Sequence, residues 1–526
     1  MKSSSENIFN LINKSKKNIP TNELNLFQSS IMCVDTLVRS LGQDKNWQPE
    51  VFISLNETYD LSTKISALCV KHKSSHELMK VLGTLYLCCS TICAAIKAKS
   101  LPVLTKIVTL ILDSLEYYDL FISSEHEHDN SIIRGSILLI RSILSALASI
   151  INELPNFYHP YISRTLILCL KTYQNKYLLP FKDENELVKR DIDRCIQILN
   201  SSIPSRHYIP ALLNGIPDFL GNGHLAAHRF CQLLSDTWGN LNRETVTQYL
   251  SFLNSIATLT LDYRRAFGDR TYQSNDVDDA AANAIVTLNL KFTEIELRSF
   301  LSRLAEWKDL SGESGEENKP ETNKVGYEWK NESRSVVFFN LVSKLGVKLK
   351  SLFIPTAGIF WDNMKEVLVD FSKLSTQVMK IDSKGKKRKS NGEEIELLSN
   401  IDSIFISESV LKVSHVLDCI KNCCIYSVEG FMDEIRYESI MPEIASLIPH
   451  KAFFDEDQTY LDFVDGHLSP CITSLASSIG NDLMWKPLNH RVLMNMRDKK
   501  PVVRLAALKI LHKLFSEVLI ILNYLF

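Results

Sequence analysis

Apolar residues return every three or four positions through most of the chain, the period of a helix with one buried face. The pattern predicts helices over 24–41, 48–72 and 76–98. Pro102 opens another, carried by Val103, Leu104, Ile107, Val108, Ile111, Leu112 and Leu115. A polar gap at 123–130 precedes a long helix over 131–153; Pro155 ends it and Pro160 opens the next. Helices over 185–201, 208–220, 225–238 and 243–262 follow, with Pro204, Pro210 and Pro217 as punctuation. The run from Asp276 to Trp307 reads as one long amphipathic stretch. Periodicity resumes at Ser335, breaks at Pro355, and returns over 358–380, 395–402, 406–427, 431–448, 458–479 and 488–524. No strand alternation of useful length occurs in the sequence. The expected fold class is all-α.

Two stretches lack the pattern. Residues 309–328 are acidic and polar, and bury too little apolar surface to offset the entropy of ordering. Residues 382–394 are polar and basic. These divide the chain into a helical array over 1–308, an acidic insert at 309–328, helices over 329–381, a basic loop at 382–394, and helices over 395–526. Near the end, Asp498 is placed to cap a helix and Pro501 suits its first turn. Val503, Ala507, Ile510, Leu511 and Leu514 then fall on one face, and Ala506 and Ala507 let a neighbouring helix come close. An Asp, a Pro, then Val503-Arg504 and an alanine resemble the second helix of a HEAT repeat. That resemblance implies that Asp498 and Arg504 belong to a ladder between stacked helix pairs. Prolines 102 and 160 are farther apart than a bare unit of about 40–47 residues. The array is therefore read as an irregular HEAT-like helical-repeat solenoid, an α–α superhelix, whose last unit covers about 477–526. Its apolar end, Val518–Phe526, is expected to lack the polar cap of a terminal repeat, as in a truncated product or an incomplete gene model.

Composition changes this picture little. Of 526 residues, 45% are hydrophobic and 23% charged; glycine (18) and proline (16) are too sparse for a turn-rich β fold. A net charge of −2 gives no global field for nucleic acid, so any RNA contact must be local. The twelve cysteines sit in apolar helical runs, as free thiols of a reducing compartment do. The N-terminal residues lack the apolar core of a signal peptide. The apolar end is too short for a bilayer, so no membrane is expected.

Candidate chemistry is thin. His224 and His228 share a helix face at metal-compatible spacing, but no Glu or third ligand accompanies them, which favours a solvated or capping role. Cys88, Cys89, Cys93, Cys419, Cys423 and Cys424 lie at helical spacing without a Cys-x-x-Cys knuckle, which favours core packing. The sequence holds no phosphate-cradling loop and no nucleophile elbow; Gly221-Asn222-Gly223 sits in a helix–helix turn. The acidic pairs Asp278-Asp279 and Glu393-Glu394 are read at helix starts, where the dipole favours them. No catalytic residue, cofactor or metal is expected. The dense basic cluster, Lys384, Lys386, Lys387, Arg388 and Lys389, is either a solvated charge run, a nuclear-import signal or a phosphate-contacting loop.

Several further segments carry a more specific resemblance. They are Ile203-Pro-Ser-Arg206 with Tyr208-Ile-Pro210, Lys291-Phe-Thr-Glu294, Leu297-Arg-Ser-Phe300 with Trp307, and Val337-Phe-Phe-Asn340 through Leu349–Pro355. The strongest is Trp485-Lys-Pro-Leu-Asn489 with Met494, Arg497-Asp498 and Val503–Leu508. Together they resemble the C-terminal portion of the large HEAT-repeat, U3 small nucleolar RNA-associated protein family of the small-subunit processome; Ser299 stands where that family carries proline. The resemblance implies a non-enzymatic nucleolar scaffold in pre-18S rRNA processing and ribosome biogenesis, linked to RNA polymerase I transcription. Its implied partners are processome proteins and the U3 ribonucleoprotein, with pre-rRNA bound directly or indirectly and no small-molecule substrate. The alternative reading is another HEAT-repeat adaptor, such as a transport receptor or phosphatase scaffold. An enzyme with an unrecognised site is the third class.

Overall fold

The computed structural model describes residues 21–525 except 42–43, 45, 72–75, 124–129, 176–180, 267–271, 310–331, 386–402, 428–430 and 480–481. Among the described residues every regular element is helical, and the fold is an all-α helical-repeat solenoid. The chain divides into two compact units. The first reaches to Leu233 and includes Thr247–Ile256; the second comprises Leu234–Val246 and the chain from Ala257 onward. The boundaries between them fall within the helices His224–Asn240, Arg243–Gln248 and Leu250–Leu261.

In the first unit the helices are α1 (Thr21–Leu41), α2 (Gln48–Lys71), α3 (His76–Ile96), α4 (Leu101–Ser123), α5 (Asn130–Glu153), α6 (Ile162–Tyr173), α7 (Lys182–Ser202) and α8 (Ser205–Gly221). Alternate helices pack side by side. One row runs α1, α3, α5, α7 and the other α2, α4, α6, α8, with α2 on α3, α4 on α5 and α6 on α7 joining the rows. Two rows follow because each helix must bury one face on its chain neighbour and its flanks on the next repeats. The α3–α5 crossing is close: a Cβ at Gly135 would lie 2.8 Å from His76 Nδ1 and 3.1 Å from its Cα. Pro102 lies in the first turn of α4, as expected. Pro210 and Pro217 do not punctuate; both lie inside α8, where Tyr208, Leu212, Ile216 and Phe219 bury one face. That burial offsets the backbone hydrogen bonds a helical proline forfeits. Gly223, at φ +108°, turns the chain into α9 (His224–Asn240).

The region predicted as one helix over 243–262 is α10 (Arg243–Gln248), α11 (Leu250–Leu261) and the single turn α12 (Tyr263–Ala266). The second unit continues with α13 (Tyr272–Asn289), α14 (Glu294–Asp309), α15 (Glu332–Leu349), α16 (Ile354–Ala357), α17 (Trp361–Gly385), α18 (Ser403–Ile425), α19 (Glu434–Ser446), α20 (Asp457–Phe463), α21 (Ser469–Ile479), α22 (Asp482–Asn495) and α23 (Pro501–Leu525). A π-helical turn, Val464–Leu468, runs α20 into α21. One row here is α13, α15, α18, α21, α23; the other is α17, α19, α22.

The stretch from Asp276 to Trp307 spans two helices, α13 and α14, parted at residues 290–293. Thr293 and Glu296 form a capping box: Glu296 N–H donates to Thr293 Oγ1 (3.2 Å) and Thr293 N–H to Glu296 Oε2 (2.8 Å). The break falls at Lys291-Phe-Thr-Glu294, and the Thr-x-x-Glu spacing from Thr293 to Glu296 is the capping-box signature. Thr293→Ala should cost about 1 kcal/mol of local stability. Amide exchange at 295–297 should then accelerate about fivefold, with α13 unchanged; unaltered exchange would show that Thr293 does not hold this end.

Candidate functional site

The C-terminal HEAT-like unit is α22 and α23. Val503, Ala506, Ala507, Ile510, Leu511 and Leu514 are all buried, facing α21 and α22, while Leu505 and Leu508 lie exposed on the other side. Pro501 begins α23. Asp498 is not its N-cap. Its Oδ1 accepts from Lys500 N–H (2.7 Å), an Asx turn leading into the helix, and Lys500 C=O takes the first helical bonds. Arg504 Nη1 donates to the carbonyls of Asp498 (3.0 Å) and Lys499 (3.2 Å) in its own unit, so Asp498 and Arg504 meet through the backbone and not through an ion pair.

Lys384 lies in the last turn of α17, which extends past the predicted end at 380 to Gly385, so residues 382–385 are helix rather than loop. Lys386, Lys387, Arg388 and Lys389 lie outside the described residues, as do the acidic insert from 310, Glu393-Glu394 and the helix expected over 395–402.

A ladder between successive repeats does exist, but other residues build it. Gln28 reaches Thr84 and Arg39 reaches Thr91 across α1 and α3. Arg141 pairs with Asp191 (2.7 Å) across α5 and α7. In the other row Arg164 pairs with Asp113 (2.7 Å) and Glu116 (2.8 Å). Partners stand 48 to 56 residues apart, which gives the repeat its length in this unit. In the second unit Lys344 pairs with Asp279 (2.7 Å), His467 Nδ1 with Asp418 (2.9 Å) and Lys509 with Asp465 (2.5 Å). Against burial, which acts upward, Lys344 and Asn340 hold the Asp279 carboxyl below its usual range, and His467 and Lys421 do the same for Asp418. Such half-exposed pairs contribute at most about 1 kcal/mol each. Their effect is to fix which face of a helix meets the next.

The second unit also holds a buried charge centre that the sequence did not reveal. Arg264, in α12, is 3% exposed. Its Nε donates to Asp278 Oδ2 (2.6 Å), Nη1 lies 3.5 Å from Glu408 Oε1, and Nη2 donates to Asn275. Ser333 Oγ donates to the same Glu408 oxygen (3.0 Å). Beside it, Arg334 grips Asp262 with two bonds (2.8 and 3.0 Å), donates to Trp307 C=O (3.1 Å) and lies 4.7 Å from the Trp307 ring centre. Asp278 and Asp279 are thus mid-helix, not at a helix start. Burial pushes the Asp278 carboxyl up to about 6, against the pull of Arg264. The centre ties α12, α13, α14, α15 and α18 together, and each charge in it meets an opposite charge.

His224 and His228 are half-buried in α9, and among the described residues no group of three or more His, Cys, Asp or Glu gathers to hold a metal ion. Eleven cysteines are buried thiols outside any disulfide, and Cys33 is an exposed one. Burial pushes Cys88, Cys93 and Cys424 up to about 12, which makes them packing residues and not nucleophiles. The most apolar long helical windows lie in 76–122 and 130–153, not at the chain's end. Each is long and apolar enough to cross a membrane, but 67% of each is buried inside the fold, so protein packing already uses that surface.

Residues 245–432 match the BP28CT (NUC211) domain family model, a span that contains the whole buried charge centre. The chain is similar to HEAT repeat-containing protein 1 of Danio rerio, 21% identical over 93% of this chain, and to HEAT repeat-containing protein 1 of Homo sapiens, 21% identical over 91%. It spans about a fifth of the length of these relatives, 20% of each. Among solved structures it is similar to the karyopherin Kap121p bound to the extreme C-terminus of the phosphatase Cdc14p, with a TM-score of 0.30, 11% identity, and coverage of 98% of this chain and 60% of that one. The chain is an all-α helical-repeat protein with a BP28CT match over residues 245–432, and it is similar along most of its length to HEAT repeat-containing protein 1.

Proposed function

We propose that the chain is a non-enzymatic scaffold of the nucleolar small-subunit processome, acting in pre-18S rRNA processing with the U3 ribonucleoprotein. The observation that carries this reading is the BP28CT match, which falls on an array of helices pinned by Arg264 and Arg334. Similarity to HEAT repeat-containing protein 1 along nine tenths of the chain supports it. So does the architecture: stacked helix pairs present a long surface to several partners at once. The basic cluster from Lys384 to Lys389 supplies nuclear entry in this reading.

The test is purification of the tagged chain from nuclear extract, with sequencing of bound RNA and identification of bound proteins. U3 RNA, the 5′ external transcribed spacer and processome proteins should be recovered together, and depletion should lower 18S precursors. Recovery of import cargo or phosphatase subunits without any rRNA precursor would overturn the proposal and move the chain to the adaptor class.

A further inference from the structure

The first unit contains a groove of about 780 Å³ that crosses the row α1, α3, α5, α7. Its lining includes several small residues, among them Ala94, Ala148, Ser145 and Ser149, together with Leu87 and Ile198. Three cations stand along it, Arg39, Lys97 and Arg194, against one carboxylate, Glu153. Arg39 is held by Asp35 (2.8 Å) and by Thr91 (3.2 Å), and Lys97 lies 3.8 Å from Glu153. Arg194 is exposed and has no ion-pair partner among the described residues. The hydroxyls of Ser145 and Ser149 are likewise without a hydrogen-bond partner among them.

We propose that this groove binds an extended acidic segment of a partner protein. The small lining residues let a peptide backbone approach the helices, and the two serine hydroxyls can donate to its carbonyls. Adjacent helices of a row are about 8–10 Å apart, so four helices span roughly 25–30 Å. At about 3.3 Å per residue that accommodates about eight extended residues. With Arg39 held by Asp35 and Lys97 facing Glu153, the surplus positive charge of the groove is Arg194, the group left to pair with a carboxylate of the segment. A single-stranded nucleic acid fits less well. Among the described residues the lining contains no aromatic side chain on which a base could stack, and two of its three cations already face a carboxylate.

The test uses the full chain and three fluorescein-labelled probes of twelve units: a Glu/Ser peptide, a Lys/Ser peptide and oligo-U RNA. The Glu/Ser peptide should bind, and binding should weaken as salt rises. Arg194→Glu should weaken it at least tenfold, and Ser145→Trp, which fills the groove, should abolish it. Both positions are exposed, so the thermal melt of either variant should match the parent and separate loss of the groove from loss of the fold. Failure of the Glu/Ser peptide to bind, equal binding by Arg194→Glu, or tighter groove-dependent binding of oligo-U would each overturn the proposal. The outcome is independent of what purification from nuclear extract recovers.

Discussion

Arg264→Met should destabilise the second unit by about 3–5 kcal/mol, the cost of leaving buried carboxylates without their cation. Met has nearly the length of the Arg stem, so the loss would come from charge and not from a void. Asp278 and Glu408 are both nearly sealed from solvent, and Arg264 is the cation that touches each. Against a typical domain stability of about 5–15 kcal/mol, such a change lowers the melting transition of this unit well below its parent value. The pH dependence identifies the cause. A carboxyl whose folded pKa is raised, as that of Asp278 is to about 6, binds its proton more tightly folded than unfolded. Its contribution to stability is therefore fullest at acid pH and declines as pH rises through about 6. Without Arg264 the carboxyl rises further, so the variant should recover part of its loss between pH 7 and pH 5. Adding Asp278→Asn and Glu408→Gln should restore most of the rest at pH 7. A melt of Arg264→Met indistinguishable from the parent, or a deficit that does not shrink in acid, would show that the centre does not hold the unit.

That centre marks the limit of what the sequence discloses. The helices were legible because burial imposes a period that one strand of text displays. The stretch read as 24–41 is Thr21–Leu41, and 48–72 is Gln48–Lys71. The apolar stripe of α23 was legible for the same reason. A buried arginine has no such signature. Arg264 precedes Asp278 by 14 residues and Glu408 by 144, so nothing local marks it as different from a surface arginine. The ladder failed in an instructive way. Asp498 and Arg504 fit the motif for an inter-repeat pair, yet Arg504 turns to carbonyls of its own unit, while Arg141 and Asp191, 50 residues apart, make the link without any motif. Proline misled at 210 and 217, where tertiary burial outweighs a local preference.

Acid should weaken the second unit through His450. The ring is buried beside Phe371, which packs on Phe453, where the chain leaves α19, and neither nitrogen has a hydrogen-bond partner among the described residues. Burial alone pushes its pKa down to about 4. An unfolded histidine takes up its proton near 6.5, so between about 6.5 and 4 the unfolded chain binds a proton that the folded chain refuses. Stability from this group is complete above pH 6.5 and is lost as pH falls through that window, by roughly 2–3 kcal/mol at pH 4.5. His415 adds to the same limb: burial lowers it to about 4 even though Asp279 and Asp418 act in the opposite sense. Asp278 opposes both, since its raised pKa favours the folded state in acid. The histidine contribution is isolated by comparing His450→Leu with the parent in denaturant at pH 7.5 and 4.5. Leu fills much of the ring's space without a titratable nitrogen, so the variant should lose roughly 2–3 kcal/mol less than the parent between the two pH values. Parallel losses in the two proteins would mean that His450 is protonated in the folded state, and that its buried nitrogens meet water or a carboxylate on opening at little cost.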